Sequence, residues 1–209
     1  MSRGRGVGRS IGRGQAETSR RDATSRFGPA IESDPHCAAP LSMAIYYFDA
    51  SAVVKYYVPE PGSLWTRQLL DVQDPVSTRP LHVILVAEVT RVEVAAGLAS
   101  IERVGRIRRA ARLREYQRFT NHLIHRYAII PITTADFVAA ADLTQRHPLK
   151  AYDALQLAVA LHYGQILSGH PFTFVSGDGT LLAAAQEEGL VTENPFDHAI
   201  PDEMPGRSR

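Results

Sequence analysis

The hydrophobic and polar positions along residues 43–197 alternate between short apolar runs and longer amphipathic ones. Short runs rich in β-branched and aromatic residues are typical of buried strands, and longer runs with a period near 3.6 are typical of helices. The pattern predicts strands at 44–48, 82–87, 127–132, 172–176 and 190–193. It predicts helices near 51–57, 63–71, 89–100, 101–126, 134–146, 151–164 and 179–189, with Gly105 as a candidate break in the long fourth segment.

Strands that are apolar throughout and separated by helices favour a parallel sheet covered on both faces. We therefore predict an α/β protein with three layers, α/β/α, around a central, mostly parallel sheet of about five strands. In such sheets, ligands bind beyond the carboxyl ends of the strands. Asp49 directly follows the first predicted strand and Asp178 follows the fourth. We expect both side chains at the same edge of the sheet.

Composition excludes several classes of protein. The chain has 209 residues, of which 44% are hydrophobic and 22% are charged, as in an ordinary globular protein. Its single cysteine, Cys37, excludes an intramolecular disulfide and a thiolate zinc cluster. No uncharged apolar stretch has the length of a membrane span. We expect a soluble, cytoplasmic protein with no membrane partner.

The first 42 residues differ from the rest in charge and complexity. They contain seven arginines against four acidic residues, whereas the remainder holds sixteen basic and eighteen acidic residues. This Arg/Gly/Ser-rich stretch has too few apolar residues to fold, so we expect disorder. It could follow a phosphate backbone, or be an unstructured tail that arises from a translation start assigned before Met43; its acids argue against a targeting peptide. We predict a tail at 1–42, a domain at 43–197 and a flexible tail at 198–209.

Four acidic residues stand out by their positions: Asp49, Glu93, Asp153 and Asp178. Taken singly, each has a simple explanation as a residue that starts or caps a helix. Together they suggest a site, because two of them follow strands that end at one sheet edge. Clustered carboxylates repel one another unless some are protonated or a hard cation neutralises them. Mg²⁺ or Mn²⁺ is the natural occupant.

Four segments carry these acids: "YYFDASAVVKYY", "VEVAAGLA", "LKAYDALQLAVAL" and "FTFVSGDGTLLAAA". In order and spacing they resemble the four acidic blocks of PIN-domain ribonucleases, above all the VapC-type toxins of type II toxin–antitoxin systems, over residues 43–197. The resemblance implies that all four acids bind the metal and act in catalysis. It also implies hydrolysis of single-stranded or loop RNA, with a 5′-phosphate and a 3′-hydroxyl as products.

The same resemblance implies a cognate antitoxin as partner and a homodimer. A metal bound by carboxylates can polarise a phosphoryl oxygen and lower the pKa of a bound water. Asp49 or Asp178 would then orient or deprotonate the attacking water. Some members of the family have a further acid two residues after the fourth, where this chain has Thr180, so the number of metals, one or two, stays open.

Three further residues are candidates for supporting roles. Ser51 lies where the family often has a small hydroxyl residue near the metal, although it could instead cap a helix. Ser176 is a second hydroxyl candidate. Lys150, three residues before Asp153, is a candidate for contacting the scissile phosphate. Lys55 is expected to be a solvated helix residue.

Two alternatives concern which side chains belong to the site. Glu88 is an alternative to Glu93 as the second acid of the site. The two positions are five residues apart, which places them about 140° apart around a helix, so they do not easily face the same metal. We expect Glu88 to be a helix-start residue. The arginines spaced three apart over 103–112 could contact phosphates, although their spread around a helix is more typical of a solvated face.

Two other functions fit parts of the sequence. An aspartyl phosphatase or phosphotransferase needs a second acid two residues after its nucleophile, and here that position is Ser51. The sequence therefore argues against this class. A non-catalytic RNA-binding or interaction protein on the same fold remains the alternative.

Overall fold

The structure, a computed structural model, describes residues 42–203, and these residues form five β-strands, seven α-helices and two 3₁₀-helices. The strands are β1 (Ile45–Phe48), β2 (Val83–Ala87), β3 (Ala128–Ile130), β4 (Phe172–Val175) and β5 (Thr192–Glu193). The helices are α1 (Ala50–Tyr57), α2 (Ser63–Asp71), α3 (Thr90–Arg103), α4 (Arg109–His125), α5 (Thr134–Arg146), α6 (Ala151–Ile166) and α7 (Gly179–Glu187). The 3₁₀-helices are Pro195–His198 and Pro201–Glu203. The predicted tail at 1–42, except for its last residue, lies outside the described residues, as does 204–209.

All five strands run parallel in one sheet, in the order β3-β2-β1-β4-β5. The central strand is β1, in which Ile45 is in register with Val83 on one side and Phe172 on the other. The predicted α/β fold with a parallel central sheet is confirmed. No helix among residues 42–203 combines the length and the apolar character needed to cross a membrane.

Side chains that alternate along the strands supply two separate cores. Tyr47 of β1 and Phe174 of β4 stack with ring centroids 5.6 Å apart, and they pack against α5, α6 and α7. The next residues along each strand, Phe48 and Val175, face the opposite core with α1, α2, α3 and α4. The sheet is therefore the middle of three layers, with helices covering both of its faces.

The long helical segment predicted at 101–126 is broken. Helix α3 ends at Arg103 and α4 begins at Arg109. Between them, Gly105 has a φ angle of 75°, a left-handed conformation that favours glycine. The arginines at 103–112 therefore lie on two helices and the connection between them, and they do not form a stripe along one helix.

The last described residues pack against α2, beyond the boundary predicted at residue 197. The imidazole of His198 stacks on the indole of Trp65 with ring centroids 4.4 Å apart. The carboxylate of Glu203 accepts hydrogen bonds from the backbone N–H groups of Gly62, at 3.0 Å, and Leu64, at 2.7 Å. Gly62 is the N-cap of α2 and has no side chain to cap it, so Glu203 supplies the cap from a distant part of the chain.

The expectation that Lys55 is solvated is wrong, because its side chain is only 1% exposed. Its ammonium lies 3.4 Å from a carboxylate oxygen of Glu60 and donates to the carbonyl oxygen of Pro61 at 3.0 Å. The ring of Phe196 covers it, with 3.4 Å between Nζ and the ring centroid. The pattern within α1 could not reveal this, since Phe196, the covering residue, comes from the distant 3₁₀-helix Pro195–His198.

Candidate active site

Asp49 lies directly at the carboxyl end of β1 and is the N-cap of α1. Its carboxylate accepts a hydrogen bond from the backbone N–H of Ser51 at 3.2 Å, while its own N–H donates to the carbonyl of Val175 at 3.0 Å. The residue is only 6% exposed. Asp49 therefore caps a helix and also places a buried carboxylate at the sheet edge.

Two serine hydroxyls hold the same oxygen of Asp49. The Oγ atoms of Ser51 and Ser176 donate to Asp49 Oδ2 at 2.7 Å and 2.6 Å. Ser51 Oγ accepts from the N–H of Gly177 at 2.7 Å, and Ser176 Oγ accepts from the N–H of Asp178 at 3.0 Å. These bonds join the carboxyl ends of β1 and β4. Ser51 lies inside the first turn of α1, so its alternative role as the N-cap is wrong.

Asp178 follows β4, as predicted, and is the N-cap of α7. Its Oδ1 accepts from the backbone N–H groups of Thr180, at 2.8 Å, and Leu181, at 3.1 Å. The side chain is partly exposed. One of its oxygens therefore stabilises the start of a helix while the residue stays within reach of solvent.

Glu93 and Asp153 lie in the first turns of α3 and α6, and both are half-buried. Glu93 Oε2 accepts a hydrogen bond from Nε2 of Gln156 at 2.5 Å. Lys150 is the N-cap residue of α6 and is exposed. Glu88 is exposed and precedes α3, so its environment differs from that of half-buried Glu93.

The charges of the four acids act on one another. Burial raises the pKa of Asp49, while hydrogen bonds from Ser176 and Ser51 oppose that rise. Burial raises the pKa of Glu93 to about 7; Gln156 lowers it, and the negative charges of Asp49 and Asp153 raise it.

The pKa of Asp153 depends on two of the other acids and on a lysine. Burial and the charges of Asp49 and Asp178 raise its pKa, and the ammonium of Lys150 opposes them. Ser176 links Asp49 to Asp178 at the start of α7, and Gln156 links Glu93 to α6 one turn after Asp153, so hydrogen bonds bring Asp49, Glu93, Asp153 and Asp178 towards the carboxyl edge of the sheet. We call these four residues the acidic cluster.

The acidic cluster has the donor chemistry of a hard-cation site. None of its members takes part in the ion pairs found within residues 42–203. In the same part of the chain, no three His, Cys, Asp or Glu side chains are placed so that they could hold a metal ion together. Three members of the acidic cluster, Asp49, Glu93 and Asp178, accept hydrogen bonds from other groups of the protein. Negative, oxygen-only donors that form no ion pair fit Mg²⁺ or Mn²⁺. The metal-ligating role of these residues stays a prediction.

One residue next to the site was not predicted. Gln156 lies in α6 among apolar residues, is 0% exposed, and contacts Glu93. The available signal was a single amide in an otherwise apolar helical run, three residues after Asp153. Such a side chain must find hydrogen-bond partners when buried.

Comparison with known proteins gives one family and several similar folds. The PIN domain family model matches residues 46–178. FitAcB from Neisseria gonorrhoeae is similar with a TM-score of 0.50 and 16% identity, over 72% of this chain and 98% of that chain. VapBC2 from Rickettsia felis, bound to a DNA fragment from their promoter, has a TM-score of 0.48 and 14% identity, over 72% and 98%. A search of curated protein sequences finds no significant match.

The family match covers more than half of the chain and contains every member of the acidic cluster. The likeness to FitAcB concerns the fold, which agrees with the parallel sheet described above. The resemblance to PIN domains seen in the sequence is confirmed, and the chain belongs to the PIN domain family.

Proposed function

We propose that this protein is a metal-dependent endoribonuclease that hydrolyses RNA phosphodiester bonds, and that it is the toxin of a toxin–antitoxin pair. PIN domains are generally nucleases. The observation that carries the proposal for this chain is the acidic cluster: four carboxylates from separate elements form no ion pair within residues 42–203, and burial together with neighbouring negative charges raises the pKa values of Glu93 and Asp153. Such an arrangement is costly for stability alone, which supports a role in binding a cation.

In this proposal Asp49, Glu93, Asp153 and Asp178 hold Mg²⁺ or Mn²⁺. When bound, the ion polarises a phosphoryl oxygen and lowers the pKa of a water molecule. The protein's own groups then orient the reactants. Ser51 and Ser176 hold Asp49 in place through its Oδ2.

Asp49 or Asp178 accepts the proton of the attacking water. Water adds to phosphorus, the bond to the 3′-oxygen breaks, and the leaving 3′-oxygen takes up a proton from solvent, so the products are a 5′-phosphate and a 3′-hydroxyl. Lys150, exposed at the start of α6, contacts a phosphate oxygen of the RNA.

The proposal also includes a cognate antitoxin and a homodimer, both implied by the resemblance to VapC-type toxins. Light scattering of the purified chain tests the dimer. Co-expression with the product of the neighbouring gene tests the antitoxin, which should form a stable complex and suppress cleavage. A monomeric protein that the neighbouring product neither binds nor inhibits would contradict this part of the proposal.

The central experiment is cleavage of labelled total RNA by the purified protein with Mg²⁺, with Mn²⁺ and with EDTA. We expect metal-dependent cleavage that falls by at least about 100-fold in Asp49→Asn, because loss of a charged ligand removes several kcal/mol of transition-state stabilisation. Asparagine keeps the shape of the side chain and is a good N-cap, so the variant should fold.

Asp142→Asn is the matched control, since Asp142 is exposed on α5 and the same chemical change there should leave cleavage intact. A folded, antitoxin-free protein that neither cleaves RNA nor binds Mn²⁺ would exclude the enzyme. The non-catalytic RNA-binding protein would then be the better description.

A further inference from the structure

A buried chain of hydrogen bonds leads from the sheet to the acidic cluster. The hydroxyl of Tyr47 in β1 donates to Oε1 of Gln156 in α6 at 2.6 Å. Nε2 of Gln156 donates to Oγ1 of Thr90 at 3.0 Å and to Oε2 of Glu93 at 2.5 Å, both in α3. Tyr47, Thr90 and Gln156 are each 0% exposed. This series of hydrogen bonds therefore connects β1, α6 and α3, and it ends at the carboxylate of Glu93.

The contacts determine which way the Gln156 amide points. Ionised Glu93 only accepts hydrogen bonds, so the amide nitrogen faces Glu93 and the amide oxygen accepts from the hydroxyl of Tyr47. The amide has two N–H groups and one carbonyl, and all three are used. Rotation of the amide would break three buried hydrogen bonds at once, so the donor aimed at Glu93 is held rigidly.

This arrangement leaves the two oxygens of Glu93 in different states. Oε2 is bound by Gln156, whereas Oε1 has no hydrogen bond among the described residues. The neighbours of Gln156 in α6, Leu155 and Leu157, are buried apolar residues of the core. The amide of Gln156 itself lies between the hydroxyl groups of Tyr47 and Thr90 and the carboxylate of Glu93, so it is a polar group placed towards the acidic cluster from an otherwise apolar helix.

We propose that Gln156, oriented by Tyr47, is a positioning residue for Glu93: it binds Oε2 so that Oε1 is presented to the cation of the acidic cluster. This inference rests on the proposed function. Groups that orient a metal ligand through its second atom commonly change metal affinity by 10- to 100-fold when removed. The chain of hydrogen bonds thereby makes cation affinity depend on a residue that never touches the cation.

The test measures Mn²⁺ binding without RNA, from the rise in melting temperature as Mn²⁺ is added to the metal-free protein, each variant against its own baseline. In Gln156→Met the volume is kept and the amide is lost, and we expect binding weakened by about tenfold. In Tyr47→Phe the amide stays but loses its anchor, and we expect about threefold weaker binding. Gln165→Met is the matched control, since Gln165 is exposed on the same helix, and it should bind Mn²⁺ as the wild type does.

A purely structural Gln156 gives a different result. In that case Gln156→Met lowers the melting temperature of the metal-free protein but leaves the Mn²⁺ dissociation constant within twofold of the wild type, which overturns the inference while the proposed function stands. Absence of Mn²⁺ binding in the wild type overturns both. If Gln156→Met does not fold, Tyr47→Phe decides, and an unchanged dissociation constant in that variant overturns the inference.

Discussion

Replacing Glu93 by glutamine should change how the stability of the metal-free protein depends on pH. Burial raises the pKa of Glu93 from the ordinary value of 4.5 to about 7 in the folded protein. The folded protein therefore holds a proton between these values where the unfolded chain does not. The stabilisation is fully present below pH 4.5 and is lost as pH rises through 7.

The size of this effect follows from the pKa values. At 1.36 kcal/mol for each pH unit, the difference between 4.5 and about 7 corresponds to about 3 kcal/mol. Glu93 is only partly buried, so solvent screening reduces the expected loss to about 2 kcal/mol between pH 4.5 and pH 8. Glu93→Gln carries no charge to desolvate and still accepts the hydrogen bond from Gln156, so its stability should lack this loss.

The assay is urea unfolding followed by circular dichroism in EDTA at pH 4.5, 6, 7 and 8. The unfolding free energy of the variant minus that of the wild type should grow by about 2 kcal/mol over this range. Glu88→Gln is the control, because Glu88 is exposed just before the same helix, and its curve should run parallel to the wild type. Saturating Mn²⁺ should restore the unfolding free energy of the wild type above pH 7, and it should not raise that of Glu93→Gln. A difference between wild type and Glu93→Gln that stays constant across all four pH values would refute the reasoning.

Two further predictions concern the C-terminal segment and the residues it covers. Lys55→Met should change the unfolding free energy by less than about 1 kcal/mol, because an apolar side chain replaces a buried ion. Glu60 keeps its ion pair with Arg106, with 2.8 Å between Glu60 Oε1 and the Arg106 guanidinium. A loss above about 3 kcal/mol in urea unfolding would contradict this prediction. Glu203→Ala should cost about 1 to 2 kcal/mol by removing the cap of α2, measured in the same way, and unchanged stability would show that the cap is dispensable.

The sequence predicts the sheet well because each strand is recognisable on its own. The strand predicted at 82–87 corresponds to β2, Val83–Ala87, and the helix predicted at 134–146 corresponds to α5, Thr134–Arg146. Local chemistry also places Asp49 and Asp178, since Asp49 directly follows β1 and Asp178 lies three positions after the end of β4. Parallel strands and short connections then bring the two positions to one edge of the sheet.

The contacts made by residues distant in sequence were not predictable. Lys55 has the pattern of an exposed helical residue until Phe196, from the far end of the domain, covers it. Nothing near Gly62 in sequence indicates that Glu203 caps its helix. Gln156 was visible as a polar residue in an apolar run, but its partners Tyr47 and Glu93 became evident only from the packing of α6 on the sheet and on α3.

The hydrogen bond between Ser176 and Asp49 spans 127 positions of sequence, and it has a consequence for synthesis of the protein. Proteins emerge from the ribosome starting at the N-terminus, and a contact of this separation cannot form until both partners have emerged. Asp49, Glu93 and Asp153 therefore leave the ribosome before β4 and α7 exist to complete the cluster with Asp178. For the nuclease proposed here, the growing chain therefore has no assembled active site until β4 and the start of α7 have emerged.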